Sequence, residues 1–270
     1  MRYVIAFILS WFGLSLAAQQ SMDMVLAEEA RLTPSVKTIF YRLGDKNIPL
    51  KVQQYGERTD LVFINLHDDE TTAVEATRKV LEQDGGLLIE VENNLKRRIS
   101  FRLGPVMYSV DPNRIFSKEG IKKSLEEKGR SNRIAVEEIE KLAERILQLI
   151  PDNATCVIAL HNNTPDYFGA LSYSAGNKKA KEALRVYINP HRDDDNFFLA
   201  TDTDLYEQLA NKKYNTILQD NIRCTEDGSL SVYCGKKNIR YVNLETEHGK
   251  QDDYFEMMRS LLSVLPQPVR

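Results

Sequence analysis

His67-Asp68-Asp69-Glu70 places an imidazole and a carboxylate three residues apart, directly after the apolar run Leu61-Val62-Phe63-Ile64-Asn65-Leu66. At a turn that leaves a strand and enters a helix, such a pair can converge on one cation. Zinc accepts both imidazole nitrogen and carboxylate oxygen, and a catalytic zinc keeps three protein ligands and an open position. The spacing is common, so a third donor has to come from elsewhere. His161 offers it, directly after the apolar run Cys156-Val157-Ile158-Ala159-Leu160. In Asp111-Pro112-Asn113-Arg114-Ile115-Phe116 an asparagine stands beside an arginine. That pairing suits recognition of a carboxylate through charge-assisted hydrogen bonds.

These residues need elements to hold them. The runs 61–66, 87–91 and 157–160 are short, apolar and rich in β-branched residues, as strands buried on both faces are. Residues 71–83 have helical spacing and stop at Asp84-Gly85-Gly86, so 61–91 reads as strand, helix, strand. Alternation predicts two strands over 37–55, turning near Gly44-Asp45-Lys46-Asn47, and strand-like pieces at 97–103 and 106–110. Helices are expected at 118–128, 134–149, 203–211 and 252–264, with further strands at 197–200, 215–219, 229–233 and 239–244. Strands alternating with helices give an α/β fold whose mixed sheet is covered on both faces. Open α/β sheets carry their functional groups beyond the C-terminal ends of strands, where His67 and His161 fall.

The 270 residues are 42% hydrophobic and 28% charged with a formal charge of −3, which excludes a disordered chain and a multi-span membrane protein. The same charge, spread along the chain, argues against nucleic acid as a partner. Met1-Arg2, an apolar stretch over 3–18 and small residues at Ser15 and Ala17 form the pattern of a cleavable secretory signal over 1–17. The expected product is a single domain over 18–270, exported to the periplasm or secreted, without stable membrane insertion. Export permits disulfides. Cys224 and Cys234 flank Asp227-Gly228 and could face each other across a hairpin, while Cys156 reads as a buried small hydrophobe.

Taken in order, HDDE at 67–70, DPNRIF at 111–116, ALHNNT at 159–164 and a strand ending in NLETE at 243–247 resemble the zinc carboxypeptidase superfamily. The likeness is closest to its aspartoacylase and succinylglutamate desuccinylase branch and spans about residues 61–250. It implies a three-layer α/β/α fold with a mixed, mostly parallel twisted sheet. It also implies one zinc ion on His67, Glu70 and His161, and a substrate carboxylate on Asn113 and Arg114. Glu245 matches the general base, with Glu247 as a competitor two residues on. The implied activity is hydrolysis of the amide bond of a small peptide or N-acyl amino acid with a free carboxylate.

Two departures support an alternative, an inactive ligand-binding protein on the same scaffold. Asp68 stands where the family usually has glycine, either orienting His67 or capping the following helix. No arginine lies at the family's usual short spacing before Asp111. Arg102 is the nearest candidate, with Arg97 and Arg98 farther off, and all three read as solvated strand residues. A phenol that closes over substrate has four candidates, Tyr167, Tyr173, Tyr214 and Tyr233.

Overall fold

The structure is a computed structural model that describes residues 31–164 and 168–266. The expected signal at 1–17 and Tyr167 lie outside the described residues.

Strands β1 (Ser35–Leu43) and β2 (Lys46–Tyr55) form the expected hairpin. Then come β3 (Leu61–Asn65), α1 (Thr71–Asp84) and β4 (Gly86–Val91), the strand-helix-strand unit. β5 (Ile99–Leu103) and β6 (Val106–Val110) pair only with each other. A 3-10 turn at Pro112–Arg114 leads to α2 (Lys118–Glu126) and α3 (Arg133–Leu147). The second half holds β7 (Cys156–Asn163), β8 (Ala183–Tyr187), β9 (Phe197–Ala200), α4 (Thr203–Asn211) and β10 (Asn215–Gln219). α5 (Leu230–Lys236), β11 (Tyr241–Glu247) and α6 (Gln251–Leu262) complete it.

Nine strands form one mixed sheet in the order β1-β2-β4-β3-β7-β11-β9-β10-β8. The four at its centre, β4, β3, β7 and β11, run parallel. Antiparallel neighbours, β2 on one side and β9 on the other, flank them. Helices cover both faces. Leu61, Phe63, Ile158, Leu160 and Leu244 pack against α1, α4 and α6 on one side. Val62, Ile64, Val157 and Ala159 face α2, α3 and α5 on the other. Adjacent residues of β3 and β7 thus serve opposite apolar layers, which is why these runs show no polar alternation.

Three expectations need correction. Residues 229–233 are not a strand, because Ser229 caps a helix by accepting a hydrogen bond from the Val232 amide, and Leu230 and Cys234 turn into the core. Cys224 and Cys234 therefore do not meet across a hairpin, and all three cysteines are free. Arg97 and Arg98 precede β5 instead of lying in it. β8 was not anticipated: its half-exposed residues Ala183–Tyr187 lie at the sheet edge and contain no apolar run.

Candidate metal centre and catalytic cavity

β3, β7 and β11 are neighbours and parallel, so their C-terminal ends open on the same edge of the sheet. His67 follows β3, His161 lies near the end of β7, and Glu245 pairs in register with His161 from β11. Glu70 occupies the N-cap position of α1, yet its side chain makes no capping bond. Its carboxylate instead meets both imidazoles: Oε1 lies 3.0 Å from His67 Nδ1 and Oε2 lies 2.9 Å from His161 Nδ1. The donor atoms of His67, Glu70 and His161 all lie within 4.8 Å of one another, the one such group among the described residues. All three side chains are buried.

The donor set fits zinc. Bonds of about 2.0–2.1 Å to two nitrogens and an oxygen in a tetrahedron put the donors roughly 3.3 Å apart. The remaining nitrogen of His67, Nε2, lies 2.8 Å from Asp111 Oδ1. A carboxylate on the far side of a metal-binding imidazole fixes the ring and raises its basicity. Asp111 is itself held, since Oδ1 also accepts from the Asn113 amide at 2.8 Å. Burial disfavours the charged form of His67, but Glu70 and Asp111 outweigh it and raise the pKa to about 9. Burial likewise pushes Glu70 up, and the two imidazoles overcome it and hold the carboxyl well below its ordinary value.

A cavity of about 710 Å³ opens beside these ligands, walled by Arg97, Asn113, Arg114, Tyr173 and Glu245. Asn113 is pinned, its Oδ1 accepting from the Leu230 amide at 3.0 Å. Arg114 donates to the Asn113 carbonyl at 2.6 Å and lies 3.8 Å from Asp227. Its own carbonyl sits where a Cβ on Gly228 would come within 2.5 Å, and Gly228 has φ +75°. A side chain at 228 would therefore displace the segment that carries Arg114. Burial raises the pKa of Glu245, partly opposed by His161, while Asn243 donates to its Oε1 at 3.1 Å. Glu247 is turned elsewhere and pairs with Lys250 at 2.6 Å.

Sequence reasoning misplaced two residues. Arg97 is solvent-exposed, as expected, but it lies before β5 and reaches the site: it donates to Glu70 Oε1 at 2.9 Å, with Nε 4.0 Å from Asp111. In the sequence it stood only as one of three candidates before Asp111, farther off than Arg102. Arg98 instead bonds the carbonyls of Ser109 and Ser124, and Arg102 is exposed on the β5–β6 hairpin. Asp68 neither orients His67 nor caps α1. It accepts from the amides of Asn93 and Leu95. Of the tyrosines, Tyr173 lines the cavity, whereas Tyr214 bonds Glu256 at 2.7 Å and Tyr233 packs by Phe116.

No protein-family model matches this chain, and no curated protein matches it in sequence. Among solved structures it is similar to murein-tripeptide amidase MpaA from Escherichia coli O157, at 16% identity and a TM-score of 0.49, covering 89% of this chain and 97% of that one. An aspartoacylase family protein from Mesorhizobium loti shares 16% identity at a TM-score of 0.44, over 85% of this chain and 67% of the other. Bovine thrombin-activatable fibrinolysis inhibitor, solved with tick carboxypeptidase inhibitor, shares 12% identity at a TM-score of 0.46, over 92% and 94% respectively. These are likenesses of outline, and the case for the site rests on its side chains.

Proposed function

We propose that the protein is a zinc-dependent hydrolase that cleaves an amide bond in small peptides or N-acyl amino acids bearing a free carboxylate, and that it acts after export. One observation carries the reading: His67 Nδ1 and His161 Nδ1 converge on Glu70 while Asp111 fixes His67 from behind.

His67, Glu70 and His161 would hold one zinc ion per chain. Zinc in such a site supplies Lewis acidity, polarising a carbonyl and lowering the pKa of water from 15.7 to about 7. The protein supplies the rest. The fork of Arg114, with the Asn113 amide beside it, takes the substrate carboxylate and orients the adjoining amide. Glu245 accepts a proton from the attacking water as the C–O bond forms. It returns that proton to the leaving nitrogen as the C–N bond breaks, giving a carboxylate and an amine. Burial of Glu245 strengthens it as a base. Arg97, beside Glu70, is placed to donate to the carbonyl oxygen as charge develops there. It supplies the arginine whose absence favoured an inactive binding protein.

Elemental analysis of the purified protein should find about one zinc per chain, as a three-ligand catalytic site requires. His67→Ala and His161→Ala should lose it. The zinc-loaded protein should hydrolyse members of a panel of short peptides and N-acyl amino acids. Glu245→Gln should keep the metal and lose at least about 10²-fold in kcat, the usual contribution of a positioned base. A protein that takes up no zinc even after reconstitution would refute the reading.

A further inference from the structure

Arg97 reaches Glu70 from the loop between β4 and β5, and that loop is strained. Asn94 and Leu95, neither of them glycine, stand consecutively at φ +53° and +54°. A side-chain-bearing residue pays for that conformation, asparagine least and leucine more. Packing does not hold the turn: Leu95 is 67% exposed, and a cavity of about 550 Å³ lies against residues 93–95. Hydrogen bonds do. Asp68 Oδ2 accepts from the Asn93 amide at 2.6 Å and from the Leu95 amide at 2.8 Å. The Asn93 side chain closes the turn from within, donating to the carbonyls of Lys96 at 2.8 Å and Arg98 at 2.9 Å. Arg97 lies between those two anchored carbonyls.

We propose that Asp68 is a positioning residue for Arg97, its carboxylate clamping the Asn93–Leu95 turn so that the guanidinium stands against Glu70 and Asp111. The segment 67–70 thus does two jobs. His67 and Glu70 face the candidate metal centre, while Asp68 faces away and holds the loop that brings the arginine to it. Glycine at 68 would leave the Asn93 and Leu95 amides without these bonds. The assignment rests on the hydrolase reading for its consequence in catalysis, though not for its geometry.

The test compares Asp68→Ala, Arg97→Ala, the double variant, and Asp68→Ala/Leu95→Gly. Glycine adopts positive φ without penalty, so the last variant restores the turn without the clamp. It also remains measurable if Asp68→Ala alone fails to fold. The first readout needs no activity: zinc-treated protein is reacted with phenylglyoxal, and modification of Arg97 is followed by peptide mass spectrometry. Asp68→Ala should raise Arg97 labelling several-fold over wild type, and Leu95→Gly should bring it back down. Unchanged labelling overturns the proposal even if the enzyme is active.

The second readout uses a hydrolysed substrate. Asp68→Ala should lower kcat by about 10²-fold, the penalty of a misplaced catalytic group. KM should stay near the wild-type value, because the lost interaction forms with the developing charge. The double variant should be no worse than Arg97→Ala alone, and additive losses would place Asp68 outside the arginine's pathway. If wild type hydrolyses nothing, the hydrolase reading fails while the labelling result still decides the role of Asp68.

Discussion

Carboxylates stand at both nitrogens of His67, Glu70 at Nδ1 and Asp111 at Nε2. Burial alone would favour a neutral ring, but the two acids reverse this and raise the pKa to about 9. In the metal-free protein His67 is therefore an imidazolium at neutral pH, and Nδ1 must lose its proton before it can bind a cation. Zinc uptake at neutral pH should release protons, seen by calorimetry as an enthalpy that changes with the ionisation enthalpy of the buffer. Affinity should tighten with pH up to about 9, where the ring deprotonates unaided. Stability follows the opposite sign. The folded pKa lies above the ordinary 6.5, so the contribution of His67 is complete below 6.5 and lost as pH rises through about 9. The Tm of metal-free protein should fall across that window, and His67→Ala should remove the fall. At this scale His67, Glu70 and His161 were legible because residue type and strand end are both written in the chain. Arg97 was not. Its position depends on a loop folding back over Glu70, held by bonds from Asp68 to backbone amides that no side-chain pattern announces.

The element that positions Glu70 is α1, and its N-terminus shows what the site costs. Glu70 is the N-cap residue, but its carboxylate faces the histidines and leaves the helix amides uncapped from within. β7 makes up the loss: Asn162 Oδ1 accepts from the Ala73 amide at 3.1 Å, and Asn162 Nδ2 donates to the Thr246 carbonyl of β11 at 3.4 Å. One amide thus links the helix bearing Glu70 to the strands bearing His161 and Glu245. Asn162→Ala should destabilise the protein by about 1–2 kcal/mol in a denaturant titration, the usual value of a cap plus a buried bond. It should also weaken zinc binding, because the Glu70 end of α1 is then free to drift. A loss of stability with unchanged zinc affinity would show that Glu70 is held by other contacts. Elements with a buried stripe, such as α3 with Val136, Ile139, Leu142 and Ile146, were readable from their period. α5 was not, because Ser229-Leu230-Ser231-Val232 alternates like a strand. The cap at Ser229 and the burial of Leu230 and Cys234 decide for helix.

Across the whole molecule the sheet divides the interior into two apolar layers, and the thiols test that division. Cys156 on β7 belongs to the layer under α1, α4 and α6, while Cys234 on α5 belongs to the opposite one. Burial raises the Cys156 thiol to about 12 and also pushes Cys234 upward, whereas Cys224 is half-buried near the surface. The thiolate is the reactive form, so the two buried groups should be inert in the folded state. Brief alkylation of native protein should therefore mark Cys224 alone, and alkylation after unfolding without reductant should mark all three. An oxidising compartment of the kind expected after export permits a disulfide but does not impose one. A Cys224–Cys234 bridge would need either the segment carrying Cys224 to fold in or α5 to turn out, since Cys234 is 0% exposed. In the second case the Leu230 amide that fixes Asn113 would move with α5. Finding that bridge in the purified protein, with zinc and activity retained, would mean that the Cys224 segment moves or that the cavity wall tolerates a shifted α5. Its absence, with Tm unmoved by reductant, would fit a site held by packing and hydrogen bonds alone.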